Sequence, residues 1–160
     1  MGKKLESKST GHKIVADNRK AGFRYFFLER YEAGIALTGS EVKSLRDGKA
    51  NLGDSYVVHQ GGNLVLINCH ISPYAPASRM NHDPLRSRRL LLHAEEIEHL
   101  LGKMKERGLT LIPTKIYFKK GRAKCEIALA KGKKFHDQRE ELRKKAHVRE
   151  IERAIKGGKS

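Results

Sequence analysis

The stretch Ser55-Tyr56-Val57-Val58-His59-Gln60-Gly61-Gly62-Asn63-Leu64-Val65-Leu66-Ile67-Asn68 sets the fold class. Two short runs rich in β-branched and apolar residues flank a polar break. Its two glycines supply positive φ at little steric cost, so the segment predicts a β-hairpin.

Strand signals continue on both sides of that hairpin. Upstream, Arg24-Tyr25-Phe26-Phe27-Leu28 and Gly34-Ile35-Ala36-Leu37 enclose a short polar interval and read as two neighbouring strands. Downstream, Leu109, Leu111, Ile116 and Phe118 outline another, and Pro113 within it belongs at an edge or a bulge because it has no N–H to donate. After Lys119-Lys120-Gly121, the apolar Ala123, Cys125, Ile127 and Leu129 alternate with Arg122, Lys124 and Glu126, the period of a half-buried strand. Two helices interrupt the series. One starts at Ser40 as N-cap, places Val42 and Leu45 on one face and stops at Gly48. The other runs from Ala94 to Arg107, where Ile97, Leu100, Leu101 and Met104 form a stripe for core packing and Gly108 ends it. About six short strands leave fewest exposed edges when closed on themselves. The predicted body is therefore mainly β, an OB-like closed antiparallel β-barrel with two to three helices and a basic C-terminal tail.

Composition divides the chain into three zones. Residues 1–13 hold four lysines and almost nothing apolar, a disordered basic arm. Residues 14–130 contain nine of the ten aromatics and form the barrel domain. Residues 131–160 carry eleven Lys and Arg, five acids and seven apolar residues, too few to bury a face of their own, so this is a tail. Lys and Arg number 34 against 18 Asp and Glu, a formal charge of +16 that calls for a polyanionic partner. Cys69 and Cys125 lack CxxC spacing and are expected as reduced thiols. No leader or membrane span is legible, so a cytoplasmic protein is expected, acting as a monomer.

Enzymatic chemistry finds no motif. The glycine–lysine pairs at 48–49, 102–103, 132–133 and 158–159 lack the upstream glycine of a phosphate-cradling loop. The eight histidines show neither HExxH spacing nor a Cys/His quartet. Asp17, Glu32, Glu41, Asp54 and Asp83 have no nuclease-like spacing. No catalytic residue, metal or cofactor is expected.

Basic clusters remain at Arg19-Lys20, Lys43/Arg46/Lys49, Arg86/Arg88/Arg89, Lys119-Lys120 with Arg122 and Lys124, and Lys131/Lys133/Lys134. Each alone is an ordinary solvated face. Together they suit a structured RNA, with Tyr25 beside Arg24 and Tyr117 beside Lys119 as rings for unpaired bases; Phe26, Phe27 and Phe118 read as core. In the tail, Glu140 with Lys144, Glu141 with Lys145 and Glu152 with Lys156 are i,i+4 pairs in the favourable order. A segment with so little to pack is expected to be disordered when free and helical on an anionic support, where Asp137 to Lys156 would reach about 30 Å.

Particular strings then resemble the SmpB family: Ala16-Asp17-Asn18-Arg19-Lys20-Ala21; Tyr31 through Glu32-Ala33-Gly34 to Glu41-Val42-Lys43-Ser44-Leu45-Arg46; Asp54-Ser55-Tyr56; Asp83-Pro84 to Arg88-Arg89-Leu90-Leu91-Leu92; and Ala130-Lys131-Gly132-Lys133-Lys134. They run in order over roughly 14 to 156. The resemblance implies an OB-type barrel that binds the tRNA-like domain of transfer-messenger RNA (tmRNA) near its elbow and D-loop. It further implies delivery with elongation factor Tu to stalled ribosomes, for trans-translation: ribosome rescue and tagging of incomplete peptides.

For the RNA face, the matching positions are Asn18, Arg19, Glu32, Lys43, Arg46, Leu91 and Lys124, to which the ring of Tyr25 adds. Glu32 is the odd member, either accepting a hydrogen bond from a base or orienting a neighbouring Arg. For the tail, the resemblance implies a place in the small-subunit decoding centre and the empty mRNA channel. Lys131, Gly132, Lys133, Lys134, His136, Asp137 and Arg139 would sit there, with His136 stacking on a nucleotide. This chain departs from the family pattern at Gln138, where Lys or Arg is common, and at His147, where some relatives carry Trp. Two other readings stay open, a general RNA-binding OB protein and an RNA-processing enzyme.

Overall fold

The computed structural model describes residues 13–106 and 108–157, and within them every side chain except those of Ser78, Phe135, His136 and Asp137. The expected arm thus lies outside the described residues up to position 12, and Lys13 already opens the first strand.

The elements run β1 (Lys13–Asp17), α1 (Arg19–Arg24), β2 (Tyr25–Ile35), α2 (Gly39–Arg46), β3 (Ala50–Asn51), β4 (Tyr56–Gln60), β5 (Asn63–Ile67), β6 (His70–Ile71), a 3₁₀ turn (Ala75–Met80), β7 (Arg88–Leu91), α3 (Ala94–Met104), β8 (Leu109–Lys119), β9 (Arg122–Gly132) and α4 (Phe135–Gly157). Seven strands join in the order β1-β8-β4-β5-β7-β2-β9, and β9 also pairs with β8. That last pairing returns the sheet to itself, so six antiparallel strands close a ring and β1 is added outside it along β8.

The hairpin stands as read: β4 and β5 pair from Tyr56–Ile67 to Gln60–Asn63, and Gly61 and Gly62 both take positive φ. Pro113 falls at a register shift of β8 against β9, where its missing N–H costs no ladder bond. The two strands expected around residues 24–37 are one, the eleven-residue β2. The polar interval does not break it. In a barrel wall the outward side faces water, so Arg30 and Glu32 point out while Tyr31 and Ala33 pack inward, and a bulge between Phe27 and Glu29 takes up the curvature.

Thr38, not Ser40, caps α2. It forms a capping box in which Glu41 Oε1 accepts the Thr38 N–H at 2.9 Å. Gly48 ends the helix at φ 72°. α3 buries Leu100 completely and packs Ile97, Leu101 and Met104 on the same core. That core includes Leu45, Leu64, Leu66, Leu90, Leu111 and Ile127 inside the ring. A second, small cluster lies under α1 and joins Ala21, Ile112 and Ala130 with Tyr25 and Phe27. Phe27 and Phe118 are packed as expected, but Phe26 is exposed, because on β2 it alternates to the side that α1 does not cover.

Arg88 on β7 and Glu41 on α2 are both fully buried. Arg88 Nε donates to Glu41 Oε2, Nη1 to Cys69 O at 2.6 Å and Nη2 to Pro84 O at 3.2 Å. Arg86 Nη2 adds bonds to Glu41 Oε1 at 2.5 Å and Ala36 O at 3.1 Å. Burial works against the Glu41 carboxylate, but the donors from Arg86, the Thr38 N–H and Arg88 outweigh it and hold its pKa down at about 2. Both cysteines are free and buried; burial pushes the Cys69 thiol up to about 11 and Cys125 further still. Among the described residues no helix is long and apolar enough to cross a membrane.

Candidate nucleic-acid interface

Alternation along the strands decides which side chains reach the outer wall. Gly34 lies between inward Ala33 and Ile35, Lys124 precedes inward Cys125, and Tyr117 follows inward Ile116. The register aligns them in one row across five strands: Leu91 on β7, Gly34 on β2, Lys124 on β9, Tyr117 on β8 and Ile14 on β1. Leu91 is 47% exposed and lies over Gly34, where an added Cβ would come within 3.2 Å of the leucine's own Cβ. Residues 34, 91 and 124, far apart in the chain, thus make one surface.

Glu32 stands two residues along the same outward side of β2. The Tyr117 hydroxyl donates to Glu32 Oε2, and Lys119 Nζ lies 3.5 Å from both carboxylate oxygens. Burial raises the Glu32 carboxyl, while Tyr117, Lys119 and the nearby charge of Lys124 more than offset it, so the group is held below its ordinary range and ionised. Of the two readings of Glu32, the orienting one finds a lysine and a tyrosine as partners and not an arginine. Tyr117 itself is only 3% exposed and bonded to Glu32, so its ring is not displayed for a base. Tyr25 is half-buried in the cluster under α1.

Asn18 sits at the start of α1 with 7% exposure. Its Nδ2 donates to Pro113 O at 2.9 Å and its backbone N–H to Thr114 O at 2.8 Å, which fixes α1 on the β8 bulge. Asn18 therefore places Arg19, which is exposed, more than it presents itself. Beside it, the buried Glu126 carboxylate accepts from Thr114 Oγ1 at 2.5 Å and faces Arg30 at 3.7 Å and Lys115 at 3.9 Å. Sequence reading missed this group. Its signal was an acid at an outward position of β9 flanked by outward cations on β2 and β8, legible only once the strands are paired.

Lys43 and Arg46 are exposed on α2, and Lys13 Nζ bonds the Arg46 carbonyl at 2.9 Å. Because Lys13 adjoins Ile14 at the head of β1, this contact brings the C-terminal end of α2 next to the row just described. The cations of α2 and of the sheet wall then form one field. Such a field can neutralise phosphates at several points, and the apolar Leu91 within it offers a surface suited to a base or sugar.

The tail starts later than expected. β9 continues to Gly132, which pairs with Tyr25, and the Lys133 N–H reaches Arg24 O at 2.8 Å. α4 follows, and contacts that the sequence did not suggest hold its foot to α1. Lys133 Nζ donates to Gly22 O at 3.0 Å and pairs with Glu141, and it lies over the Phe26 ring at 4.9 Å. Lys145 pairs with Glu141 at 3.8 Å and sits 6.0 Å from the centroid of Phe23. The side chain of Lys133 is thereby only 8% exposed. Lys131, Gly132, Lys134 and Arg139 are exposed. His136 and Asp137 belong to α4, but their side chains lie outside the described residues, so the stacking expected of His136 does too. From Leu142 to Gly157 every residue of the helix is exposed, as seven apolar residues in thirty foretold.

Comparison with known proteins gives this geometry a setting. Residues 15–157 match the family model described as SmpB protein. The SsrA-binding protein of Sulfurihydrogenibium sp. (strain YO3AOP1) is 57% identical over 145 residues, covering 91% of this chain and 95% of that one. The SsrA-binding protein of Nostoc punctiforme is 53% identical over 153 residues, covering 95% and 99%. A solved structure described as "tmRNA-SmpB: a journey to the center of the bacterial ribosome" is similar with a TM-score of 0.63 and 52% identity, over 74% of this chain and 84% of that chain.

Proposed function

This chain belongs to the SmpB protein family, and from that premise we propose that it binds the tRNA-like domain of tmRNA through its barrel wall and delivers it to stalled ribosomes for trans-translation. The observation that carries the reading is the convergence of Leu91, Gly34, Lys124 and Glu32 on one outward surface, with Arg19, Lys43 and Arg46 beside it. Lysine and arginine on such a surface neutralise phosphates, Leu91 supplies apolar contact, and the ionised Glu32 accepts from a base while fixing Lys119.

The tail is the second working part. In this proposal α4 leaves the body and enters the decoding centre and the empty mRNA channel of the small subunit. Lys131, Lys133, Lys134, His136, Asp137 and Arg139 face ribosomal RNA there, and elongation factor Tu completes the delivery complex. Lys133 exchanges its bonds to Gly22 and Glu141 for phosphate on docking. The protein itself is a cytoplasmic, non-enzymatic carrier acting as a monomer.

Truncation after Lys134, which leaves β9 whole, tests the division of labour. The truncated protein is expected to keep its affinity for the tRNA-like fragment, in competition with bulk RNA at moderate salt, and to lose peptide tagging on stalled ribosomes. Loss of RNA affinity together with tagging would count against separable parts. Equal binding of unrelated single strands by the intact protein would make it a general RNA binder.

A further inference from the structure

The connection between β6 and β7 contains a closed loop that neither the sheet wall nor the tail accounts for. At its neck, the side-chain amide of Asn81 bonds both backbone groups of Tyr74: the Tyr74 N–H donates to Oδ1, and Nδ2 donates to Tyr74 O, each at 2.8 Å. Between them the 3₁₀ turn Ala75–Met80 carries Pro76, with φ fixed, as its second residue, and the Ala77 N–H reaches Tyr74 O at 2.9 Å. The flanks of the loop are tied to α2. His82 Nε2 donates to Ile71 O at 2.9 Å while Ser40 Oγ lies 2.8 Å from Nδ1, and Ser44 Oγ bonds Ser72 O at 2.6 Å. The loop is thus tied to the body at its neck and both flanks.

What it projects is an apolar tip next to charge. Met80 is 85% exposed, the most exposed of the large hydrophobic residues described, and Arg79 beside it is exposed as well. A single exposed methionine is ordinary on a protein surface. Its setting is what distinguishes this one. Lys43 of α2 extends over the Tyr74 ring, with Nζ 5.6 Å from the centroid, so the loop neck adjoins the cationic field of Lys43 and Arg46. On a chain of net charge +16, an unbranched, polarisable side chain next to an exposed arginine is matched by an unstacked nucleobase next to a phosphate.

We infer that the loop from Tyr74 to Asn81 is a further RNA contact, in which Met80 packs against an unpaired base of the tRNA-like domain and Arg79 neutralises an adjoining phosphate. This rests on the proposed function, since the same RNA must already lie on α2. Asn81 acts as a positioning residue, keeping the tip in place without touching the RNA.

Full-length protein with Met80→Ser, Arg79→Ala or Leu91→Ala is compared with wild type for affinity to the tRNA-like fragment and to small ribosomal subunits. Met80→Ser is expected to weaken binding to the fragment by about five-fold or more. Arg79→Ala is expected to lower the slope of log affinity against log salt by about one. Neither should change subunit affinity or thermal midpoint, since both side chains are exposed. In the wild type, bound fragment should also slow peroxide oxidation of Met80. Unchanged fragment affinity in the Met80 and Arg79 variants, with Leu91→Ala weakened, would overturn the loop contact and leave the proposed function standing. A loss confined to ribosomal subunits would overturn it too. Failure of wild type to prefer the fragment would instead sink the proposed function.

Discussion

The Arg88 guanidinium, without solvent exposure, forks between Glu41 forty-seven residues upstream and the carbonyls of Cys69 and Pro84. One side chain thus ties α2 to the turn before β6 and to the far part of the β6–β7 connection. Removing one partner of such a pair leaves the other buried and unmatched, which costs about 3–5 kcal/mol. Arg88→Leu is expected to lose that much in urea unfolding. Arg88→Lys should recover little, because one ammonium nitrogen cannot span acceptors that Nε, Nη1 and Nη2 reach separately. Arg86→Ala, whose side chain is 37% exposed, should cost about 1 kcal/mol. Equal losses for Arg86 and Arg88 would contradict this division.

Glu41 makes the stability depend on acid. Its carboxyl is held at about 2 against an ordinary value of 4.5, so the folded state binds this proton less readily than the unfolded chain does. The contribution, on the order of 3 kcal/mol, is fully present above pH ~4.5 and drains away as pH falls towards 2. Glu41→Gln should therefore be much less stable than wild type at pH 7, and the gap should narrow steadily below pH ~4.5. Urea titrations at pH 7, 4 and 2.5 measure it, and a gap independent of pH would show that Glu41 is not the titrating group.

Gly34 offers a way to move Leu91 without mutating it. A Cβ at position 34 meets Leu91 Cβ at 3.2 Å, and Leu91, being half in solvent, is free to shift by a few tenths of an ångström. Gly34→Ala is expected to change folding stability by less than ~1 kcal/mol while weakening the tRNA-like fragment about five-fold, as a displaced contact does. Unaltered affinity alongside a weakened Leu91→Ala would mean that the leucine adapts in the complex.

Much of the architecture was legible in short windows. Period-two alternation named the Ala123–Leu129 strand, the two glycines named the β4–β5 turn, and the Ile97–Met104 spacing named the buried stripe of α3. Local signals were weaker where an element owes its form to a neighbour. β1 and β7 are short and went unread because their pairing with β8, β5 and β2 supplies what their own sequences lack. α1, with six residues and an internal Gly22, is held by Asn18 and by packing on Ile112 and Ala130, not by helix propensity.

The candidate interface divides in the same way. Residue types and a family resemblance picked out Glu32, Leu91 and Lys124 one at a time, but only paired strands put Gly34 under Leu91 and Tyr117 against Glu32. Sequence by itself determined that this is a strand-rich, strongly cationic chain with a C-terminal helix too polar to pack, because charge and periodicity are properties of neighbouring residues. Tertiary structure alone decided that Lys133 is occupied at the foot of α4, that Arg88 is a buried tie and not part of a basic patch, and that Met80 stands out from a tied loop. Those outcomes depend on which distant group arrives to satisfy or cover a side chain, and no spacing along the chain encodes that.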